Sequence, residues 1–439
     1  MKRKVLPSLT LLFVAALLSG CGGSDTKIVE REPVPIEDDH DHDHEEISQG
    51  RLLISTKDQA KISVVDINEK SVLHELAVSE APSALYASPN NRYGFVVQRT
   101  ADRVDVIDGG LWQENHGDHL HDYEQAPKHT LFSINKSRPT HFTGTDKQSA
   151  IFFDGNGATA APASVGVFTE ADIANNTAGT VLEYSTHMHG AAQARGDYLI
   201  STVRDAATTS TLPDRVAVYR AHNGYFVDEN IFSENCPGLH GSAQNEQQIA
   251  FGCTDGVLVI TQTDTSFTAK KIANPVSFTG TTRIGTVIGD NSVDEFIGIA
   301  AGQFFAINTS TNTITPINWV DANITPVPTA NSHGFADDGE FFVILDNQGK
   351  LTILNSDDWS LKARVQAITS NVTALPSGSK FELALTPGHH VYVSDPIANQ
   401  VKQIHLDEAE VSTTIQLDFV PNKLTWLGIA EPAAGEHAH

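Results

Sequence analysis

Residues 333–355, HGFADDGEFFVILDNQGKLTILN, contain the pattern that decides the fold. A short strand begins at His333, a turn follows, and residues 340–344 supply an apolar second strand. Residues 350–355 supply a third strand that ends in an Asn turn. Short runs of Val, Ile and Phe bounded by Asp, Asn and Gly are typical of β-strands. From Arg51 onward the same pattern recurs without a helical period of useful length, so we predict an all-β body.

The pattern repeats at intervals of about 40 to 60 residues, which is the range of four-stranded propeller blades. Seven stretches overlay, and they begin at Ala84, His141, His189, His240, Arg283, His333 and Glu382. Residues 423–428 resemble an eighth inner strand, for which the opening strands at 51–56 and 61–66 would be the partners. We therefore predict an eight-bladed β-propeller over residues 51–430 whose two ends close one blade. A seven-bladed ring is the alternative.

The charge and histidine content favour a protein that handles cations. In 439 residues, 29 Lys and Arg stand against 54 Asp and Glu, giving a formal charge of -25. Such a surface disfavours nucleic acid and anionic lipid and concentrates cations. The 19 His beside 2 Met favour zinc, because copper carriers of the periplasm usually need thioether ligands.

The N-terminus predicts export. A basic start and an apolar run from Leu11 to Leu18 precede Leu18-Ser19-Gly20-Cys21, which resembles a bacterial lipobox. We predict a signal peptide over 1–20, lipidation of Cys21, and a membrane-anchored periplasmic lipoprotein of a Gram-negative bacterium. An uncleaved membrane anchor is the alternative, but the run is well short of the ~20 residues that span a bilayer. Contact with the membrane is expected through the lipid only.

Residues 21–50 are predicted to be a flexible acidic tether that ends in a metal-capture arm. Residues 38–46 alternate acids with His40, His42 and His44, so the arm would bind metal weakly and exchange it fast. A solvated linker is the alternative interpretation of this arm. Residues 431–439 are predicted to be a C-terminal tail.

Cys236 and Cys253 are the two cysteines left after Cys21. An exported chain lies in an oxidising compartment, so we predict that they form a disulfide. A pair of zinc thiolates is the alternative, although the spacing matches no CxxC ligand motif.

The repeat predicts that several histidines converge at the mouth of a central channel. Equivalent positions of the inner strands surround the axis of a propeller, and four of these positions are histidine, with a carboxylate at another. They are His141, His189, His240, His333 and Glu382. Each histidine could instead pack as a satisfied polar group between blades.

Two further histidine pairs lie two residues apart, so in an extended segment both rings point the same way. They are His119 with His121, in an insertion of the first blade, and His187 with His189. Zinc takes about four N or O ligands in a tetrahedron. The ligand set that we favour consists of His119, His121, His189 and His240, with His333 and Glu382 as the next candidates. A solvated loop is the alternative for the insertion. His116, His389 and His390 are assigned no role.

Several motifs together resemble the AztD family of periplasmic zinc metallochaperones. They are the acidic His-rich arm, Gly-Asp-His-x-His at 117–121, Arg-Pro-Thr-His at 138–141, Phe-Phe-Asp-Gly at 152–155, and Cys-x-x-Leu-His-Gly at 236–241 with Gly-Cys-x-Asp-Gly at 252–256. The resemblance covers most of the chain after residue 21. It implies a protein that captures zinc and passes it to the periplasmic solute-binding protein of a zinc ABC importer.

The sequence thus predicts a zinc-binding carrier that is not an enzyme. A Ser or Cys nucleophile motif, a phosphate-binding Gly-rich loop and an HExxH helix are missing from the sequence. Two alternatives stay open, a copper- or zinc-dependent propeller metalloenzyme and a protein-binding propeller with incidental histidines.

Overall fold

The computed structural model describes residues 28–31, 34–35, 49–117, 119–321 and 323–430. The predicted signal peptide, Cys21, the arm residues His40, His42 and His44, and the tail at 431–439 lie outside these ranges. Within the ranges, neither helix has the length and apolarity of a membrane span.

The chain forms strands throughout its described length. The first five are β1 (Val29–Glu30), β2 (Val34–Pro35), β3 (Gln49–Thr56), β4 (Lys61–Asp66) and β5 (Ser71–Ala77). Blade 1 contains β6 (Ala84–Ala87), β7 (Tyr93–Gln98) and β8 (Arg103–Asp108), then the inserted hairpin β9 (Leu111–Asn115) and β10 (His119–Glu124), then β11 (Lys128–Asn135). Blade 2 contains β12 (Pro139–Gly144), β13 (Ser149–Phe153), β14 (Ser164–Phe168), the helix α1 (Glu170–Asn175) and β15 (Thr180–Glu183). Blade 3 contains β16 (Ala192–Arg195), β17 (Tyr198–Val203), β18 (Arg215–His222) and β19 (Tyr225–Ile231).

Blades 4 to 8 complete the ring. Blade 4 contains β20 (Ser242–Gln244), β21 (Gln248–Cys253), β22 (Gly256–Thr263) and β23 (Ser266–Ala273), and blade 5 contains β24 (Thr286–Ile288), β25 (Phe296–Ala300), β26 (Gln303–Asn308) and β27 (Thr313–Pro316). Blade 6 contains β28 (Ala330–Ala336), β29 (Phe341–Asp346), β30 (Lys350–Asn355) and β31 (Leu361–Gln366). After a short 3₁₀ turn (Val372–Ala374), blade 7 contains β32 (Leu383–Ala384), β33 (His390–Asp395), β34 (Gln400–His405) and β35 (Glu410–Gln416). Blade 8 combines β36 (Pro421–Ile429) with β3, β4 and β5.

The two ends of the chain meet in blade 8. The inner strand β36 pairs antiparallel with β3, with Gln49 opposite Ile429 and Ile54 opposite Leu424. Trp426 is buried in this blade, against the apolar cluster that also holds Tyr392 of blade 7. The pairing confirms that the C-terminal strand supplies the inner strand of a blade whose other strands come from the N-terminal side.

The hydrophobic core consists of eight separate clusters, each lying between two neighbouring blades. One of them joins Leu53 and Val64 of blade 8 to Leu85 and Val96 of blade 1, so the apolar contacts continue across the point of closure. Side chains from both faces of each sheet are therefore buried, and the eight-bladed ring predicted from the repeat is confirmed.

Strand direction defines two faces of the ring. All inner strands begin at one end, here called the first face, and finish at the other, the second face. In blade 1, β6 pairs antiparallel with β7 and β7 with β8, so β8 runs parallel to β6 and finishes at the second face. The β9–β10 hairpin follows β8 and therefore emerges at the second face. The start of β3 and the end of β36 lie there too.

Part of the predicted tether differs from the expectation of a structureless segment. Strands β1 and β2 both pair antiparallel with β10, with Glu30 opposite Tyr123 and Pro35 opposite His119. Val29 and Val34 give these short segments β-propensity, and β10 offers a free strand edge beside β9. In the sequence, β2 and β3 thus flank the residues that carry the arm histidines.

Gly50 of β3 is required by close packing at the closure. A Cβ atom at this position would lie 2.2 Å from Nε1 of Trp426 and 2.7 Å from Cδ1 of Ile67. We expect Gly50→Ala to lower the free energy of unfolding by about 1–3 kcal/mol through overpacking. Denaturant unfolding measures the loss. Gly144→Ala is the control, since its nearest neighbour would be Phe142 at 3.8 Å, and equal effects of the two substitutions would contradict the prediction.

Candidate metal centres

Three histidines from consecutive blades converge at the first face. His141 is the third residue of β12, and His189 and His240 lie just before β16 and β20. Nε2 of His189 lies 3.3 Å from Nε2 of His141 and 3.1 Å from Nε2 of His240. We call these residues the channel-mouth cluster. They are brought together although 48 and 51 residues separate them along the chain.

The opposite nitrogen of two of these rings is held by an acceptor. Nδ1 of His189 lies 3.0 Å from Oδ2 of Asp154, and Nδ1 of His240 lies 2.6 Å from the carbonyl oxygen of Gly285. A carboxylate and a carbonyl can only accept, so each Nδ1 carries the proton. When such a ring is neutral, its Nε2 atom carries a lone pair and no hydrogen. Two lone pairs face each other across 3.1 Å, an arrangement that a cation between them would stabilise.

Burial keeps the outer members of the cluster neutral. Burial, together with the neighbouring His189, lowers the pKa of His141 to about 4. Burial also lowers the pKa of His240, against the hydrogen bond to Gly285, which raises it. Both rings are therefore neutral imidazoles at neutral pH, the form that can bind a metal, rather than imidazolium ions.

Asp154 is held in place by Arg99 as well as by His189, whose ring it orients. Oδ2 of Asp154 also forms an ion pair with Nη2 of Arg99, on the neighbouring blade, at 3.0 Å. Burial raises the pKa of Asp154, but hydrogen bonds and charge from His189, Thr140 and Arg99 outweigh burial and lower it. The carboxylate thus stays ionised, as in the carboxylate–histidine–zinc arrangements that set the tautomer of a ligand.

His240 is held by the segment around the disulfide. Cys236 and Cys253 are bonded with S–S 2.04 Å, which confirms the predicted pair. The N–H of His240 donates to the carbonyl of Gly252 at 2.9 Å, and Gly252 donates back to Gly241 at 3.1 Å. The loop that carries His240 is therefore hydrogen-bonded to β21 both at His240 and at the next residue, Gly241.

The nitrogen spacing suits zinc. With Zn–N bonds near 2.0–2.1 Å, two tetrahedral ligands lie about 3.3 Å apart, which is close to both observed separations. His141 and His240 flank His189, and their ring centroids are 6.1 Å apart. An ion bound by all three rings requires these two outer rings to turn inward about the central one.

A second group of histidines lies on the β9–β10 hairpin. The ligand atoms of His116, His119 and His121 all lie within 4.8 Å of one another. We call these residues the hairpin cluster. Glu30 of β1 approaches them, with Oε1 2.8 Å from Nδ1 of His121. Three imidazoles and a carboxylate are a donor set that zinc accepts.

Blade 8 fixes the base of this hairpin. The buried Arg51 donates to the carbonyls of Gly109 at 2.6 Å and Gln125 at 2.8 Å, and its guanidinium pairs with Glu124 at 2.7 Å. Burial lowers the pKa of Arg51, while the neighbouring carboxylates, Glu124 first, raise it. The hairpin is thus attached to the rigid ring at the second face.

The structure does not bring the favoured set of His119, His121, His189 and His240 together. The first two lie on the hairpin at the second face, whereas the last two lie at the first face. One ion cannot contact both pairs, so the described residues form two separate histidine clusters. His116, to which the sequence assigned no role, belongs to the hairpin cluster.

His333 lies apart from the channel-mouth cluster because of a one-residue offset. Both β12 and β28 contain an irregularity near their start, after which His141 pairs with Phe152 and Ser332 pairs with Leu345. The residue equivalent to His141 is therefore Ser332, and His333 faces the other side of the sheet. Its ring packs 5.2 Å from that of Phe304, between blades 5 and 6.

The other two predicted candidates also point elsewhere. Glu382 forms an ion pair with Lys423 of β36. The ring of His187 lies against Gly157, where a Cβ atom would be 2.8 Å away. Residues 187–189 lie outside the strands, so the two-residue alternation expected for His187 and His189 does not apply.

Comparison with known proteins supports the sequence resemblance. No family model matches the chain. Over 400 residues the chain is 22% identical to the zinc chaperone AztD of Citrobacter koseri, covering 90% of this chain and 90% of the relative. A crystal structure of C. koseri AztD has a TM-score of 0.73 at 20% identity, over 88% of this chain and 100% of that one. The chain is similar to AztD over most of its length.

Two further structures confirm the architecture. Apo AztD from C. koseri has a TM-score of 0.72 at 19% identity, over 87% of this chain and 98% of that one. The dihydro-heme d1 dehydrogenase NirN has a TM-score of 0.54 at 10% identity, over 90% of this chain and 79% of that one. At these identities the likeness to AztD and to NirN establishes the fold.

The buried ring of His333 predicts a dependence of stability on pH. Burial lowers its pKa to about 4, below the ~6.5 expected in the unfolded chain, so its contribution is present above that value and is lost as pH falls towards 4. Its Nδ1 has no hydrogen-bond partner among the described residues. We expect His333→Phe to reduce the loss of unfolding free energy between about pH 7.5 and about pH 4.5 by about 2 kcal/mol. Denaturant unfolding at both pH values measures it, and parallel losses in the two proteins would refute it.

Proposed function

We propose that the protein is a non-enzymatic zinc carrier of the cell envelope. It would bind zinc at the channel-mouth cluster and pass it by ligand exchange to the solute-binding protein of a zinc importer. The likeness to the zinc chaperone AztD of C. koseri supports the choice of metal and the carrier role. The acidic composition and the histidine content support it independently.

The observation that carries the proposal is the pair of opposed lone pairs on His189 and His240. Asp154 and Gly285 fix both tautomers, so the short Nε2–Nε2 distance is not a hydrogen bond between neutral rings. Imidazole ligands on a rigid ring give reversible binding, which a protein that must release its cargo requires.

The hairpin cluster supports a second zinc site at the other face. In the sequence, His40 follows Pro35, which pairs with His119, by five positions. Arm and hairpin would therefore capture zinc together, with the arm supplying weak and rapidly exchanging ligands. The acid-rich surface would raise the local zinc concentration.

The location and the acceptor are part of the proposal. The signal-like N-terminus and the lipobox at Cys21 support a periplasmic lipoprotein that contacts the membrane through its lipid. The net charge of -25 disfavours nucleic acid as a partner. Delivery to a periplasmic solute-binding protein would be direct, with the acceptor's ligands replacing histidines one at a time.

His189→Gln tests the channel-mouth site. His189 makes both short Nε2 contacts, so we expect zinc affinity at this site to fall by about 100-fold or more. Asp154→Asn should weaken it by about 10- to 100-fold, because the ring loses the carboxylate that orients it. Competition titration against a zinc chelator of known affinity measures both.

His333→Gln is the matched control, since it removes an imidazole that lies away from the cluster. Unchanged zinc affinity in His189→Gln, in protein that melts as the parent does, would contradict the proposed site. Equal weakening in His189→Gln and His333→Gln would assign the effect to stability rather than to coordination.

A triple substitution of the hairpin separates the two faces. We expect His116→Gln, His119→Gln and His121→Gln together to remove about one zinc per chain and to leave binding at the channel mouth intact, because the clusters lie on opposite faces. Equilibrium dialysis with metal analysis, alone and combined with His189→Gln, measures the stoichiometry. Loss of both sites in the triple variant alone would show that they are one site.

A further inference from the structure

A third group of metal-ligating side chains lies at the second face, where blades 6 and 7 meet. Asp337 follows β28, His389 precedes β33 and Asp407 follows β34. Their ligand atoms all lie within 4.8 Å of one another. Asp337 is buried, His389 is partly buried and Asp407 is exposed. These residues come from three separate loops, and the ring brings them to one place.

The imidazole of His389 lies between the two carboxylates. Nδ1 of His389 lies 2.8 Å from Oδ2 of Asp337 and 3.1 Å from Oδ2 of Asp407. A ring nitrogen carries at most one hydrogen, so Nδ1 cannot donate a full hydrogen bond to both carboxylates. One imidazole nitrogen and two carboxylate oxygens within 4.8 Å of one another are close enough to be ligands of a single zinc ion.

The cluster opens into a cavity that favours cations. Asp337 and His389 line a cavity of ≈ 900 Å³, and the five further lining acids are Asp294, Glu295, Asp338, Glu340 and Asp357. No Lys or Arg is among the described residues that line it. The cavity leaves room for water as a remaining ligand, and its carboxylates produce a negative potential that attracts divalent ions.

Lys362 supplies the cluster's own positive charge. Its Nζ lies 2.7 Å from Oδ1 of Asp407 and 4.0 Å from the centroid of the Phe341 ring. Lys362 therefore occupies the other oxygen of Asp407, whereas Oδ2 of that carboxylate faces His389. A metal ion would compete with this lysine for the charge of Asp407.

We propose that Asp337, His389 and Asp407 form a further divalent-metal site that takes zinc through Nδ1 of the imidazole and one oxygen of each carboxylate. The site is independent of the channel-mouth and hairpin clusters. It provides weaker binding than they do, because its one imidazole is joined by carboxylates of which one already pairs with a lysine.

Two matched carboxylate substitutions in the same turn test the site. Asp337 and Asp338 both have positive φ, which Asn tolerates, so Asp337→Asn and Asp338→Asn place similar demands on the backbone. With zinc as the probe, we expect Asp337→Asn to bind one zinc fewer per chain than the parent, and Asp338→Asn to bind the parental amount. Equilibrium dialysis of the full chain with metal analysis measures both.

Asp407→Asn is a second test of the same site. Because Asp407 is exposed, this substitution is less disruptive to folding than one at the buried Asp337. This variant should also lose one zinc per chain. Lys362→Gln should strengthen binding at this site about two- to fivefold, since the competing cation is gone. Parental stoichiometry in both Asp337→Asn and Asp407→Asn would overturn the proposal, as would weaker binding in Lys362→Gln.

Long-range ¹H–¹⁵N spectra of histidine-labelled protein identify the ligand atom, with His389→Gln used to assign the signals. Zinc should leave the His389 ring protonated at Nε2 and ligated at Nδ1. A ring protonated on both nitrogens at saturating zinc would make His389 a bridge between two carboxylates and reject the metal site. His189→Gln should not alter this signal, so failure here is distinguishable from failure of the proposed carrier function.

Discussion

The pairing of β3 with β36 is the constraint on which the other features depend. It joins the two ends of the chain in one blade and lets the apolar clusters run unbroken around the ring. A closed ring fixes the rotation between neighbouring blades. That rotation brings His189 within hydrogen-bond distance of both His141 and His240, although the intervening chain forms whole blades. The site is therefore a consequence of global closure rather than of any local motif.

Closure of the propeller alone would permit many orientations of the imidazole rings. Contacts with residues outside the channel-mouth cluster select one of them. Asp154, itself paired with Arg99, sets the tautomer of His189, and a backbone carbonyl does the same for His240. The protein thus holds two imidazole lone pairs close together with no proton available to join them while both rings are neutral. The strained pair favours a cation, because a cation removes the repulsion between the lone pairs. At the proposed site, cation affinity would depend on Asp154 and Gly285, which orient the rings.

The fold was predictable from sequence because its pattern recurs eight times. The seven overlaid starts lie within three residues of the observed inner strands, as at His333 against Ala330, and the closing strand was found as well. The set of candidate ligands was less predictable, because a shift of one residue in strand register decides which side of the sheet a side chain faces. The irregularity in β28 makes Ser332 rather than His333 the equivalent of His141. Such a register shift turns a side chain to the opposite side of the sheet and cannot be seen when the repeats are aligned by sequence.

The position of the hairpin could have been derived from the predicted strands. An insertion after the third strand of a blade must emerge at the face where inner strands finish, and His141, His189 and His240 lie where they begin. The repeat alone, without strand direction, predicts that a loop carrying His119 can reach the channel mouth beside His189. Once direction is included, the molecule has two chemically different ends. The first face presents the imidazoles of the channel-mouth cluster near the starts of inner strands, and the second presents the hairpin histidines and an acid-lined cavity.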